Sequence, residues 1–164
     1  PSRRSDTRPP PPVSLSLAPR SHSLSTSRTF TQADVAAFTG LTGDVNPIHH
    51  QKGSPSPPLP PPLVPGLLTA SLFPALVGTA WPGALYARQA LRFLGPLRVG
   101  EGVRASVVVE RVRRRREGGE GGSNAGSAVV TFRTTAVRMG GDGGSEAVVV
   151  EGEATAVVPV AGRV

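Results

Sequence analysis

The chain has 164 residues, enough for one domain of ordinary size, with 38% apolar residues and 20 glycines to build a core. It has no cysteine, which excludes a disulfide scaffold, a thiol nucleophile and cysteine-based zinc sites. The net charge is +7, of which residues 1–29 supply +4, so most of the excess sits in and just after a leader.

Residues 1–27 form that leader. They are rich in Arg, Ser and Pro and poor in acidic and apolar residues, so they cannot bury enough surface to offset chain ordering. Pro9–Pro12 favours an extended path. This is the composition of an organellar transit peptide, or of a generic disordered tail. A single domain is expected over residues 28–164. Leu24–Phe30 alternates loosely, as a first short strand would. Thr31-Gln32-Ala33-Asp34 reads as a helix start. Thr31 can cap it, and Asp34 at the third helical position suits a helix N-terminus. Val35, Phe38 and Leu41 then set one apolar face, and Gly40 and Gly43 end the helix.

Asp44-Val45-Asn46-Pro47-Ile48-His49 cannot continue that helix. Pro47 has no N–H and pushes Asn46 into an extended conformation. The bend brings Asp44 and His49 to one side, where a straight strand would hold them about 16 Å apart. Asn46 can brace the turn through its side chain. Two readings stand here: a general acid and base beside a pocket, or a helix-ending turn with a surface histidine. From Gly53 to Ala87 there is no charged residue. Pro55–Pro62 holds six prolines and must be irregular or extended. Leu63–Leu85 is apolar all round, which suits a buried helix or a membrane span. Pro65, Pro74 and Pro82, with Gly66, Gly78 and Gly83, interrupt it and favour a buried helix. Its extent is Gly66 to about Thr79, with a bend at Pro74.

Four strands follow: Leu85–Phe93, Val103–Val112, Ala128–Val137 and Ala147–Val158. In the second, Val107, Val109 and Arg111 share one face, and Val108, Glu110 and Val112 the other. Gly118–Gly126 and Gly140–Gly144 are turns. Consecutive strands joined this way imply antiparallel pairing and an α+β class in which the sheet covers the helix. No glycine-rich phosphate loop is present, so no nucleotide cofactor is expected. His49-His50 and the distant His22 do not make a metal site. Arg113–Arg116 is a solvated strand end or a steering patch for an acidic partner. One Trp, one Tyr and five Phe leave little for base stacking, which argues against nucleic acid.

Phe38-x4-Gly43-Asp44-x-Asn46-Pro47-x-His49 resembles the MaoC-like hydratase/dehydratase family, the (R)-specific enoyl-thioester hydratases. The likeness continues at Val64–Phe73, Pro82–Tyr86, Leu91–Glu101 and Gly152–Pro159, and covers about residues 27–160. The phrases around Ser71–Pro74, Pro82–Tyr86 and Gly152–Pro159 look closest to the mitochondrial (R)-3-hydroxyacyl-carrier-protein dehydratases. The resemblance implies a hot-dog fold, a central helix wrapped by an antiparallel sheet, dimerising edge to edge. It implies that Asp44 and His49 are the catalytic pair, that the Gly66 N–H binds the thioester oxygen, and that Asn46 supports the loop. No cofactor, metal or membrane span is expected. The substrate would be an acyl thioester on acyl carrier protein, or else on coenzyme A, in a mitochondrion, or else a plastid. On charge alone, Arg88, Arg92, Arg98 or Arg104 would meet an acidic carrier or the phosphates of the pantetheine arm. The chain departs from the family at Pro65, Gln51, Pro74 and the Pro55–Pro62 passage. These departures keep open a hot-dog module that binds acyl chains without turnover.

Overall fold

A computed structural model describes residues 23–50, 61–115, 126–140 and 145–160. The first 22 residues, most of the Pro55–Pro62 passage and most of both glycine-rich turns lie outside these ranges.

Strand β1 (Ser23–Thr29) pairs with β3 (Gly102–Arg115) along its whole length. The ordered sheet therefore takes in Ser23 to Ser27, which the expected boundary at residue 28 left in the leader. Alternation explains this: Leu24 and Thr26 turn inward while Ser23, Ser25 and Ser27 face water, and the β3 ladder satisfies the backbone.

Helix α1 (Gln32–Thr42) starts with the expected reciprocal cap. Asp34 N–H donates to Thr31 Oγ1 at 3.2 Å, and Thr31 N–H donates to Asp34 Oδ2 at 2.8 Å. Bonds from the Thr31 backbone and side chain, with Arg28 beside them, hold the Asp34 carboxyl below its ordinary value. Gly43 ends the helix at φ 71°, a left-handed position that suits glycine. The buried face is Val35 and Thr39, with Phe38 half-buried, and Leu41 is 88% exposed. Leu41 was expected inside. Steps of three residues fall short of the 3.6-residue turn, so by the second step the side chain has left the stripe.

The uncharged segment forms a central helix in two pieces, α2 (Gly66–Ala70) and α3 (Leu72–Ala80). Pro74 sets the break. It has no N–H to offer the Ala70 carbonyl, and its ring crowds that oxygen. Among the described residues no helix is long and apolar enough to cross a membrane. Phe73 and Val77 are fully buried against Val103, Val107, Val130 and Phe132 of the sheet, in one core. Trp81 closes it, its ring 5.6 Å from Phe132 and tilted by 42°.

The sheet is antiparallel throughout, in the order β1-β3-β4-β5-β2, with β2 spanning Leu85–Phe93, β4 Gly126–Arg138 and β5 Ala147–Val160. Among the four strands β2 to β5, consecutive pairing fails at one step, because β2 lies beside β5 and not beside β3. The link Leu94–Glu101 is no tight turn. Leu97 within it is buried, and its carbonyl accepts the Val64 N–H at 2.8 Å. A bulge between Val109 and Arg111 also corrects the expected faces of β3. Past it, Val112 lies opposite buried Val130 and Arg111 opposite Thr131, so Val112 and not Arg111 turns inward.

Candidate active site

The end of α1 and the start of α2 build a site between them. Beyond Gly43, the Asp44 N–H still bonds back to the Thr39 carbonyl at 3.1 Å. Asn46 then folds the loop as expected. Its N–H donates to Asp44 Oδ1 at 2.9 Å, and its own Oδ1 accepts the Ile48 N–H at 3.3 Å. Pro47–His49 makes a single 3-10 turn, which swings the His49 ring inward. His49 Nε2 lies 3.6 Å from Asp44 Oδ2. The His49 side chain is 11% exposed and that of Asp44 36%, so the histidine is the inner member of the pair.

The His49 ring is oriented by main chain. Its Nδ1 lies 2.8 Å from the Leu63 carbonyl oxygen. A carbonyl only accepts, so Nδ1 carries the hydrogen and a neutral ring turns its Nε2 lone pair toward Asp44. The Leu63 N–H donates in turn to the Ile48 carbonyl at 2.9 Å. Two further bonds hold the loop. His50 Nε2 lies 3.2 Å from the Asp44 carbonyl, and the Gln32 amide donates to the His49 carbonyl at 3.4 Å.

Asp44 and His49 open onto a cavity of about 460 Å³. Leu97, Val149 and Val150 give it an apolar lining, Phe38 and Phe93 flank it, and Gly66 and Thr69 face it from α2. A β-carbon at Gly66 would sit 2.5 Å from Phe93 Cε1, so only glycine lets that ring lie across the start of the helix. The carbonyl four residues before Gly66 is that of Pro62, and it accepts the Val99 N–H at 2.9 Å. Among the described residues the Gly66 N–H, the first of α2, has no acceptor outside the helix.

The structure thus brings together Asp44, His49, Asn46 and Gly66. Sequence reasoning missed Leu63, which acts through its carbonyl and has no side-chain signature. It also missed Thr69, Phe93 and Val150, which reach the cavity by tertiary packing. The four arginines expected to meet a carrier are engaged in the fold. Arg88, Arg92 and Arg104 lie 3.6, 3.0 and 2.9 Å from Glu153, Glu151 and Glu146, and Arg98 donates to the Pro61 carbonyl at 2.8 Å. Among the described residues no cluster of three or more His, Asp or Glu side chains gathers to hold a metal.

A family model described as a MaoC like domain matches residues 16–131. The chain belongs to the MaoC-like family. Curated relatives of this MaoC-like chain include an (R)-specific enoyl-CoA hydratase of Rhodospirillum rubrum, 34% identical over 85% of this chain and 88% of the relative. Another is a mitochondrial 3-hydroxyacyl-(acyl-carrier-protein) dehydratase of Arabidopsis thaliana, 29% identical over 80% of this chain and 72% of the relative. Among solved structures, the (R)-hydratase from A. caviae involved in PHA biosynthesis superposes with a TM-score of 0.64 at 31% identity, covering 84% of this chain and 95% of that one. A double hot-dog protein from Mycobacterium tuberculosis shares the fold, with a TM-score of 0.65 at 16% identity over 85% of this chain and 42% of its own. The MaoC-like chain has the hot-dog fold, and the expected α+β architecture holds. The relatives are named as hydratases and dehydratases, so this MaoC-like chain is an enzyme of the hydro-lyase class.

Proposed function

We propose that the protein interconverts (R)-3-hydroxyacyl and enoyl thioesters, with Asp44 and His49 as its acid–base pair and the Gly66 N–H as donor to the thioester oxygen. One observation carries this reading: an aspartate and a histidine 3.6 Å apart at the edge of an apolar cavity. At that separation a single oxygen atom can reach both side chains. In hydration, water attacks C3 and a C3–O bond forms. His49 Nε2 takes the water proton while Nδ1 keeps its own on Leu63. The double-bond electrons shift toward the thioester oxygen, where the Gly66 N–H meets the growing charge. A proton then returns to C2. Dehydration is the same path reversed.

The acyl carrier is a carrier protein, in a mitochondrion. Two features support this: the basic, serine-rich leader and the likeness to mitochondrial dehydratases named for carrier-protein substrates, those of Arabidopsis thaliana and Solanum lycopersicum. Coenzyme A is the second reading, favoured by the relative from Rhodospirillum rubrum. A homodimer formed along β2 fits the fold, since that strand ends the sheet with Leu85 and Phe93 exposed.

The test is hydration of crotonyl-CoA, followed by loss of the enoyl-thioester absorbance. Asp44→Asn and His49→Ala should each lose about 10²- to 10⁴-fold in rate. Folded wild type that turns over neither the coenzyme A nor the carrier-protein thioester would leave only the acyl-binding module.

A further inference from the structure

Thr69 lies one helical turn beyond Gly66 and lines the same cavity, yet is 1% exposed. Its hydroxyl makes no hydrogen bond among the described residues. The neighbouring Ser71 hydroxyl, in contrast, donates to the Leu68 carbonyl at 2.7 Å. A buried hydroxyl without a partner weakens a fold, so its place in a lining that is apolar apart from Thr42, Asp44 and His49 suits a ligand atom.

Resting on the proposed activity, we infer that the Thr69 hydroxyl binds the oxygen at C3 of the acyl chain: the hydroxyl of the 3-hydroxyacyl thioester, and the incoming water in hydration. The thioester oxygen is already served by the Gly66 N–H. Three residues of helix carry Thr69 about 4.5 Å further along the axis, away from the thioester and toward the body of the acyl chain. The remaining polar atom of the substrate at that depth is the C3 oxygen. Thr69 moves no proton in this role. It holds the oxygen on which Asp44 and His49 act. It also sets a preference, because a saturated acyl thioester leaves the hydroxyl unpaired.

The test separates hydroxyl from shape. Thr69→Val keeps the shape and loses the hydroxyl, and Thr69→Ser does the reverse. Both are made in a His49→Ala background, so that the bound thioester is not converted, and calorimetry measures (R)-3-hydroxybutyryl-CoA and butyryl-CoA. The expected result is about tenfold weaker binding of the hydroxy thioester to Thr69→Val, the scale of one lost buried hydrogen bond. Butyryl-CoA should change less than twofold, and Thr69→Ser should match its parent. If Val binds the hydroxy thioester as well as its parent, weakens both thioesters alike, or outperforms Ser, the inference is overturned. Should Val disturb the fold, Thr69→Ala against Thr69→Ser makes the same comparison. Because these are binding data, they decide the role of Thr69 whether or not wild type hydrates crotonyl-CoA.

Discussion

The His50 ring ties the far end of the Asp44–His50 loop to its beginning, with Nε2 at 3.2 Å from the Asp44 carbonyl. Replacing it with Leu should lower kcat about tenfold, the scale of one hydrogen bond, and leave KM within about twofold. His50→Gln, whose amide can still donate, should recover most of the rate in steady-state assays. Gly66→Ala should also lose activity, because its β-carbon meets the Phe93 ring at 2.5 Å. Phe93→Ala in the same chain should restore part of it, a non-additive pair that a double-mutant cycle would expose. At this scale much of the site was legible. The proline and asparagine of the Asp-x-Asn-Pro-x-His run dictate a bend, and a bend is what brings Asp44 to His49. Thr69, Phe93 and the Leu63 carbonyl were not legible, since nothing local in their surroundings announces which cavity they will face.

Elements were legible where the chain's own punctuation defines them. Thr31 and Asp34 begin α1, Gly43 ends it, and Pro74 divides the central helix, all by local sterics and hydrogen bonding. Thr31→Ala should cost about 1 kcal/mol, measured by urea unfolding. Asp34 makes this contribution depend on pH. Its folded value is depressed below 3.8, so its share is present above that value and disappears as pH falls through the depressed one. The wild-type advantage over Thr31→Ala should therefore shrink in acid. The bulge after Val109 was not legible, because an extra residue leaves composition unchanged while reversing every later side chain. Nor was the partner of β2. Period-two alternation says which way side chains point, not which strand lies alongside. Gly152 helps to hold that pairing, since a β-carbon there would collide with the Ala90 carbonyl oxygen on β2. Gly152→Ala should destabilise the protein at the upper end of about 1–3 kcal/mol. Trp81, the one tryptophan, reports the loss by fluorescence.

At the scale of the whole molecule, stability should fall in strong alkali at one identifiable point. Tyr86 is the one tyrosine, and burial pushes its phenol from 10.0 up to about 12, with Gln89 accepting its hydrogen. Between those two values the unfolded chain has released this proton and the folded one has not, so stability falls as pH rises through that window. Phenolate absorbance should show a folded midpoint near 12, and Tyr86→Phe should flatten the alkaline fall. The fold class was legible because a long uncharged helix and a run of strands admit few arrangements. The order of the strands depends on the anchored link through Leu97, and no local rule reports it. The bond from His49 to the Leu63 carbonyl bears on how such a chain changes over generations. The oxygen belongs to the main chain, so no side-chain replacement at position 63 can delete it. Drift in the proline-rich passage upstream is thereby uncoupled from the Asp44–His49 pair for as long as residue 63 returns to its place. A lineage can vary that passage while keeping the bond that orients His49.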